Sequence, residues 1–139
     1  MPAQSRLTIL VVDDERSLVA LFSYCLRRAG YEIKQAFDGE EAQSVFLEAR
    51  ESIALVVSDI HMPRASGITL AEFVLAHGCP VLLISGGAIP PDVDENGFEL
   101  LTKPVLPDEL VSAVDNILKR KDAERKGRSR PFNPRTLSA

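Results

Sequence analysis

Apolar residues recur along this chain with two different spacings, and the changes between them predict its elements. Short apolar runs occupy Leu7–Val12, Ile53–Ser58 and Val81–Ile84, with a weaker one at Phe98–Thr102. Such runs, lacking a polar alternation, fit strands buried on both faces of a parallel sheet. Tyr31–Phe37 is a weaker strand with Tyr31 and Ile33 on one face. Between the strands, apolar residues return every three or four positions, which is helical spacing.

The first predicted helix carries Leu18, Leu21, Phe22, Cys25, Leu26 and Ala29 along one face, and Gly30 suits its end. Asp38-Gly39-Glu40-Glu41 has the form of a capping box before a stripe of Ala42, Val45, Phe46 and Ala49. Met62–Gly67 is a loop, in which Ser66 caps a short helix bearing Leu70, Phe73 and Val74. Pro107 opens the last helix, with Leu110, Val111, Val114, Ile117 and Leu118 on one side. Five alternating strand–helix units predict an α/β fold, a doubly wound parallel sheet covered on both faces. The segment Gly86–Asn96 contains Ala88-Ile89-Pro90-Pro91, so the fourth helix is expected to be short or absent.

Four of the apolar runs stop in polar residues: Asp13-Asp14, Ser58-Asp59, Ser85 and Thr102-Lys103. In an open α/β sheet ligands bind beyond the carboxyl ends of the strands. Three carboxylates, a hydroxyl and an ammonium are therefore expected to converge in one crevice. Converging carboxylates need a cation or protons. Hard oxygen donors without a Cys or His cluster favour Mg²⁺ (or Mn²⁺), which binds through one or two carboxylates plus phosphate oxygens. Lys103 supplies a mobile positive charge, and Ser85 a hydroxyl for a phosphoryl oxygen. A carboxylate can also attack a phosphoryl group to form an acyl phosphate. Asp59, alone at its strand end, is the candidate nucleophile, while the adjacent Asp13 and Asp14 read as the metal holder. Singly these signals are weak, because Asp pairs cap helices and Lys-Pro is a common turn. Capping does not explain their joint order at four strand ends.

Composition adds boundaries. At 139 residues the chain is sized for one domain with a real core. It contains no apolar run of membrane-spanning length and no signal-peptide core at its N-terminus, so a cytoplasmic location is expected. Cys25 and Cys79 make no disulfide framework, and Cys25 is expected as a buried structural thiol. Residues 1–118 carry eight bases against eighteen acids, a net of −10, whereas residues 119–139 carry eight bases against two acids, a net of +6. The expected division is a domain over 1–120 and a basic tail over 121–139, disordered beyond Gly127. The tail lacks aromatic interleaving and an amphipathic stripe, so no specific nucleic-acid binding is expected.

Ile9-Leu10-Val11-Val12-Asp13-Asp14-Glu15, Asp59-Ile60-His61-Met62-Pro63 with Gly67 downstream, Ser85-Gly86 and Lys103-Pro104 together resemble the receiver domain of bacterial two-component response regulators. The likeness covers residues 7 to about 120. It implies a flavodoxin-like (βα)5 fold of the stand-alone type that accepts a phosphoryl group from a sensor histidine kinase or a histidine phosphotransfer protein. It further implies that Asp59 is phosphorylated, that Asp14, Asp59 and the backbone carbonyl of His61 hold Mg²⁺, and that Asp13 acts through water. Ser85 and Lys103 would engage the phosphoryl group, with Pro104 holding the Lys103 loop as a cis peptide. The product is a switched signalling protein rather than an enzyme, with an unknown downstream protein as partner, a monomer or weak homodimer.

Three departures from that pattern fall on or near the surface family members use for output. Leu100 stands where an aromatic residue is usual, Gly67–Ser85 and Ser85–Lys103 are each a few residues short, and the fourth-helix segment is rich in proline. A docking scaffold insensitive to phosphorylation is therefore an alternative. A phosphatase of the haloacid-dehalogenase type is disfavoured, because such enzymes place Asp-x-Asp after the first strand and here Asp13 and Asp14 are adjacent.

Overall fold

The computed structural model describes residues 6–62, 66–87 and 99–128. Along the chain run β1 (Thr8–Val12), α1 (Arg16–Arg28), β2 (Glu32–Ala36), α2 (Gly39–Ala49), β3 (Ile53–Asp59), α3 (Gly67–Ala76), β4 (Val81–Ser85), β5 (Glu99–Thr102) and α4 (Pro107–Arg128). The five strands form one parallel sheet in the order β2-β1-β3-β4-β5. This is the flavodoxin-like doubly wound arrangement, with its switch in strand order between β1 and β3. The segment Gly86–Asn96, where a short or absent fourth helix is expected, lies outside the described residues from position 88 on, as does Phe98.

Strand alternation sends side chains to two cores. Leu10, Val12, Val56 and Leu83 pack with Ala42, Phe46, Leu70 and Val74 of α2 and α3. Ile9, Val11, Leu55, Val57, Leu82 and Ile84 pack with Phe22, Leu26, Leu110 and Val114 of α1 and α4. Fully burying each such side chain contributes about 1.5–3 kcal/mol, so these layers hold the strand ends rigidly in register.

The stripe on α1 is rotated from its expected position. Val19, Phe22, Ser23 and Leu26 are buried, whereas Leu21 is 44% exposed and Cys25 only half-buried. Ser23 is tolerated inside because its hydroxyl accepts a hydrogen bond from Gln35 Nε2 at 3.0 Å. Cys79 takes the role expected of Cys25: it is buried, its thiol faces the Ile53 and Pro80 carbonyls, and burial pushes its pKa up to about 12.

The caps form as the sequence implies. Asp38 accepts from the Glu41 amide at 2.7 Å, and Glu41 Oε1 accepts from Phe37 N, so the Glu41 carboxylate reaches back over the start of the helix. Ser66 Oγ accepts from Thr69 N. Gly30, at φ 105°, follows the end of α1 in the left-handed region that suits glycine. His77 closes α3 with Nδ1 against the Phe73 carbonyl and its ring beside Phe46 and Phe73.

The basic segment that follows the domain begins as helix: residues 121–128 continue α4, which spans 22 residues. Lys, Ala, Glu and Arg are good helix formers, and ion pairs from Arg120 to Glu99 and from Lys121 to Glu124 support the added turns. Residues 129–139 lie outside the described residues.

Candidate functional site

Asp13, Asp59, Ser85 and Lys103 stand at or just beyond the carboxyl ends of β1, β3, β4 and β5, four adjacent strands. Lys103 is brought in by its own amide, which donates to the Ser85 carbonyl at 2.8 Å. The Lys103–Pro104 peptide is cis, as anticipated. One carboxylate oxygen from each of Asp13, Asp14 and Asp59 lies within 4.8 Å of the others. Asp13 and Asp59 are 2% and 5% exposed, and Asp14 faces solvent.

Lys103 Nζ sits 3.6 Å from Asp13 Oδ2 and 3.4 Å from Asp59 Oδ1. Those two oxygens are buried and have no hydrogen-bond partner among the described residues. A buried anionic oxygen without donors is costly, and one ammonium cannot fully satisfy two of them. Hard oxygens in this state suit a small divalent cation, so the donor set fits Mg²⁺ or Mn²⁺. The opposite oxygen of Asp13 is already committed, since Oδ1 accepts from Glu15 N at 2.9 Å.

The electrostatics carry the same message. Burial, opposed by the Glu15 amide and aided by Asp59, raises the Asp13 carboxyl to about 6. Burial also raises Asp59 from the ordinary carboxylate range, against the pull of Lys103. Burial works to lower the Lys103 ammonium, but Asp13 and Asp59 outweigh it and hold it above its usual value.

A carboxyl whose folded pKa exceeds its unfolded one makes the fold bind protons more tightly than the open chain. Its contribution favours folding at low pH and is lost as pH rises from about 4 to about 6. In metal-free protein, Asp13→Asn should therefore stabilise by roughly 2 kcal/mol at pH 7.5, and the gain should vanish near pH 4. Asn retains the Oδ1 acceptor for Glu15. Urea denaturation of both proteins across this range, in chelator, checks it; a gain independent of pH would remove Asp13 as the strained acid.

The remaining expected residues are placed less directly. Ser85 is fully buried, and its hydroxyl donates to the Gly87 carbonyl at 3.1 Å and accepts from Gly87 N at 3.4 Å. His61 follows β3 with an exposed side chain, and it lowers the Asp59 pKa. Leu100, in the position of the usual aromatic, is half-buried against the α2–α3 core and lies opposite Leu83. Pro63 lies outside the described residues.

Two features escaped the sequence reading. Gly67 is packed so closely under the end of β3 that a Cβ there would stand 2.0 Å from the Asp59 carbonyl oxygen. Ser58, fully buried, donates its hydroxyl to that same carbonyl at 2.9 Å.

A doubly wound sheet with three aspartates and a lysine at its carboxyl edge defines an acidic site with one paired lysine beside the switch point. The chain belongs to the response regulator receiver domain family, whose model matches residues 9–115. It is 36% identical over 122 residues to the alkaline phosphatase synthesis transcriptional regulatory protein PhoP of Bacillus subtilis, covering 82% of this chain and 49% of that protein. The chain thus spans about half or less of the length of the curated relatives it matches. Among solved structures, a response regulator receiver domain protein from Clostridium thermocellum superposes with a TM-score of 0.75 at 28% identity, covering 84% of this chain and 98% of that one. CheY in the CheX–CheY–BeF3–Mg complex of Borrelia burgdorferi superposes with a TM-score of 0.74 at 25% identity, covering 80% and 88%. Among the described residues, no helix is long and apolar enough to cross a membrane.

Proposed function

We propose that this chain is a phosphorylation-dependent signalling module of a two-component phosphorelay, with Asp59 as the phosphoacceptor. The observation that carries this reading is the pair of buried, donor-free oxygens on Asp13 and Asp59 under one lysine ammonium. An oxygen of the Asp59 carboxylate attacks the phosphorus of the donor, a phosphohistidine or an acyl phosphate. The P–N or P–O bond of the donor breaks, its electron pair leaves with the imidazole or carboxylate, and a new acyl phosphate forms on Asp59. Lys103, already 3.4 Å from Asp59, neutralises charge on the transferred group. Ser85 rotates from Gly87 to donate to it.

Asp14, Asp59 and the His61 carbonyl would hold Mg²⁺, with Asp13 reached through water. The cation supplies charge neutralisation that lets a buried carboxylate meet an anionic donor. The complex of Borrelia CheY with BeF3 and Mg is consistent with such an occupant. The chain acts on itself, with slow autodephosphorylation, and is not an enzyme turning over a separate substrate. Its partners on this reading are a sensor histidine kinase or phosphotransfer protein and a downstream protein that reads the phosphorylated state.

Incubation with acetyl phosphate and Mg²⁺ should add one phosphate to the intact protein, seen as a single mass increment, and none to Asp59→Asn. Equal labelling of the two proteins would remove Asp59 as the acceptor, and labelling that survives chelator would remove the cation.

A further inference from the structure

Ser58 interrupts an otherwise apolar strand. It follows Ile53-Ala54-Leu55-Val56-Val57, is fully buried, and lies in register with Val12 on one side and Leu83 on the other. Its strand parity is that of Val56 and Ile60, which face the α2–α3 core. An apolar residue there would extend the core, whereas a buried hydroxyl is tolerable only when hydrogen-bonded. Its bond is to the Asp59 main chain: Ser58 Oγ donates to the Asp59 carbonyl at 2.9 Å.

That carbonyl belongs to the Asp59–Ile60 peptide, one of the two peptides that orient the Asp59 Cα and so the start of its side chain. Gly67 closes over it from α3, leaving no room for a Cβ. The next residue is pinned on both sides, with Ile60 N donating to the Ile84 carbonyl at 3.0 Å and the Ile60 carbonyl accepting from Gly67 N at 2.9 Å. The Asp59–Ile60 peptide is therefore clamped from the sheet, from α3 and, through Ser58, from within its own strand. The Asp59 side chain leaves the same Cα with the opposite parity, toward Lys103.

We infer that Ser58 is a positioning residue for the phosphoacceptor, its hydroxyl fixing the Asp59 carbonyl so that the carboxylate stays aimed at the Lys103 and cation side of the crevice. This rests on the reading of Asp59 as the acceptor. Small misplacements of a reacting group cost far more in rate than in stability, so the role separates from simple satisfaction of a buried carbonyl.

The test compares Ser58→Val with Ser58→Thr, which have nearly the same shape and differ in the hydroxyl. Each is assayed for the rate of phosphate incorporation from acetyl phosphate at saturating Mg²⁺, for Mg²⁺ affinity by calorimetry, and for urea stability. Ser58→Thr should label within about twofold of the parent, and Ser58→Val about tenfold more slowly even if it is equally or more stable. Ser58→Ala carries the same expectation should Ser58→Val not fold. Labelling of the hydroxyl-free variants at the parent rate, or loss of rate in Ser58→Thr as large as in Ser58→Val, overturns the role. A parent that takes up no phosphate overturns the reading of Asp59 and this role with it, so the two failures are told apart.

Discussion

Gly67→Ala is expected to lower the unfolding free energy by about 3 kcal/mol and to slow phosphate incorporation at Asp59 by at least an order of magnitude. A Cβ at Gly67 would come within 2.0 Å of the Asp59 carbonyl oxygen and 2.8 Å of both the Asp59 carbonyl carbon and the Ile60 Cα. All three are backbone atoms, so no flexible side chain can yield. Either the first turn of α3 lifts from the sheet, breaking the Gly67 amide bond to the Ile60 carbonyl, or the end of β3 turns and carries the Asp59 carboxylate with it. Gly86→Ala is the matched control. Its Cβ would meet Lys103 Cδ at 3.0 Å, the aliphatic stem of a side chain that can shift, so its stability cost should stay below about 1 kcal/mol. Urea denaturation and acetyl phosphate labelling of both variants check this. Equal stability of the two would mean that the α3–β3 contact is not the constraint described.

How much of this was legible beforehand depends on whether a feature is local. The capping residues Asp38 and Ser66, and the stripes of α2, α3 and α4, were readable because they depend on spacing within a few residues. The polar strand ends were readable because a break from apolar run to aspartate or lysine is itself a sequence signal, and the parallel topology brings such ends together. The α1 stripe was misjudged by one position because hydrophobicity alone favours Leu21 over Ser23. Only the contact with Gln35, twelve residues away on β2, makes a buried Ser23 acceptable. Where α4 ends was less legible, because its apolar stripe stops at Leu118 and the next support, the ion pair of Arg120 with Glu99 of β5, is distant in sequence. Gly67 appeared as part of a motif and Ser58 as a polar strand end, each without its reason. Their meaning lies in a carbonyl oxygen whose surroundings exist only once β3 and α3 meet. Ser85 was read by its chemistry, and its present bond to Gly87 is a matter of rotamer that residue identity does not encode.

Lys103→Gln should move two properties of the site in opposite directions. Among the described residues, its ammonium is the positive charge paired with Asp13 Oδ2 and Asp59 Oδ1, at 3.6 and 3.4 Å. For phosphoryl transfer that charge is an asset, because negative charge builds on the transferred group in a partly desolvated crevice. Removing one such electrostatic partner costs on the order of a hundredfold in rate. For a divalent cation the same charge is a competitor, since it repels the metal and partly neutralises the carboxylates that would bind it. Its removal should therefore strengthen Mg²⁺ binding severalfold. Without metal, the acids lose their counter-charge and rise further in pKa, so the variant should be less stable than the parent at pH 7.5 and recover as pH falls towards about 6. Because the chain has no tryptophan, calorimetric titration is the suitable measure of metal affinity, alongside labelling by acetyl phosphate for the rate. A lysine that merely braces the β5 loop would lose both properties together when replaced. Slower labelling with tighter Mg²⁺ is the signature of one ammonium shared between two buried carboxylates, and weaker Mg²⁺ binding in Lys103→Gln would refute that assignment.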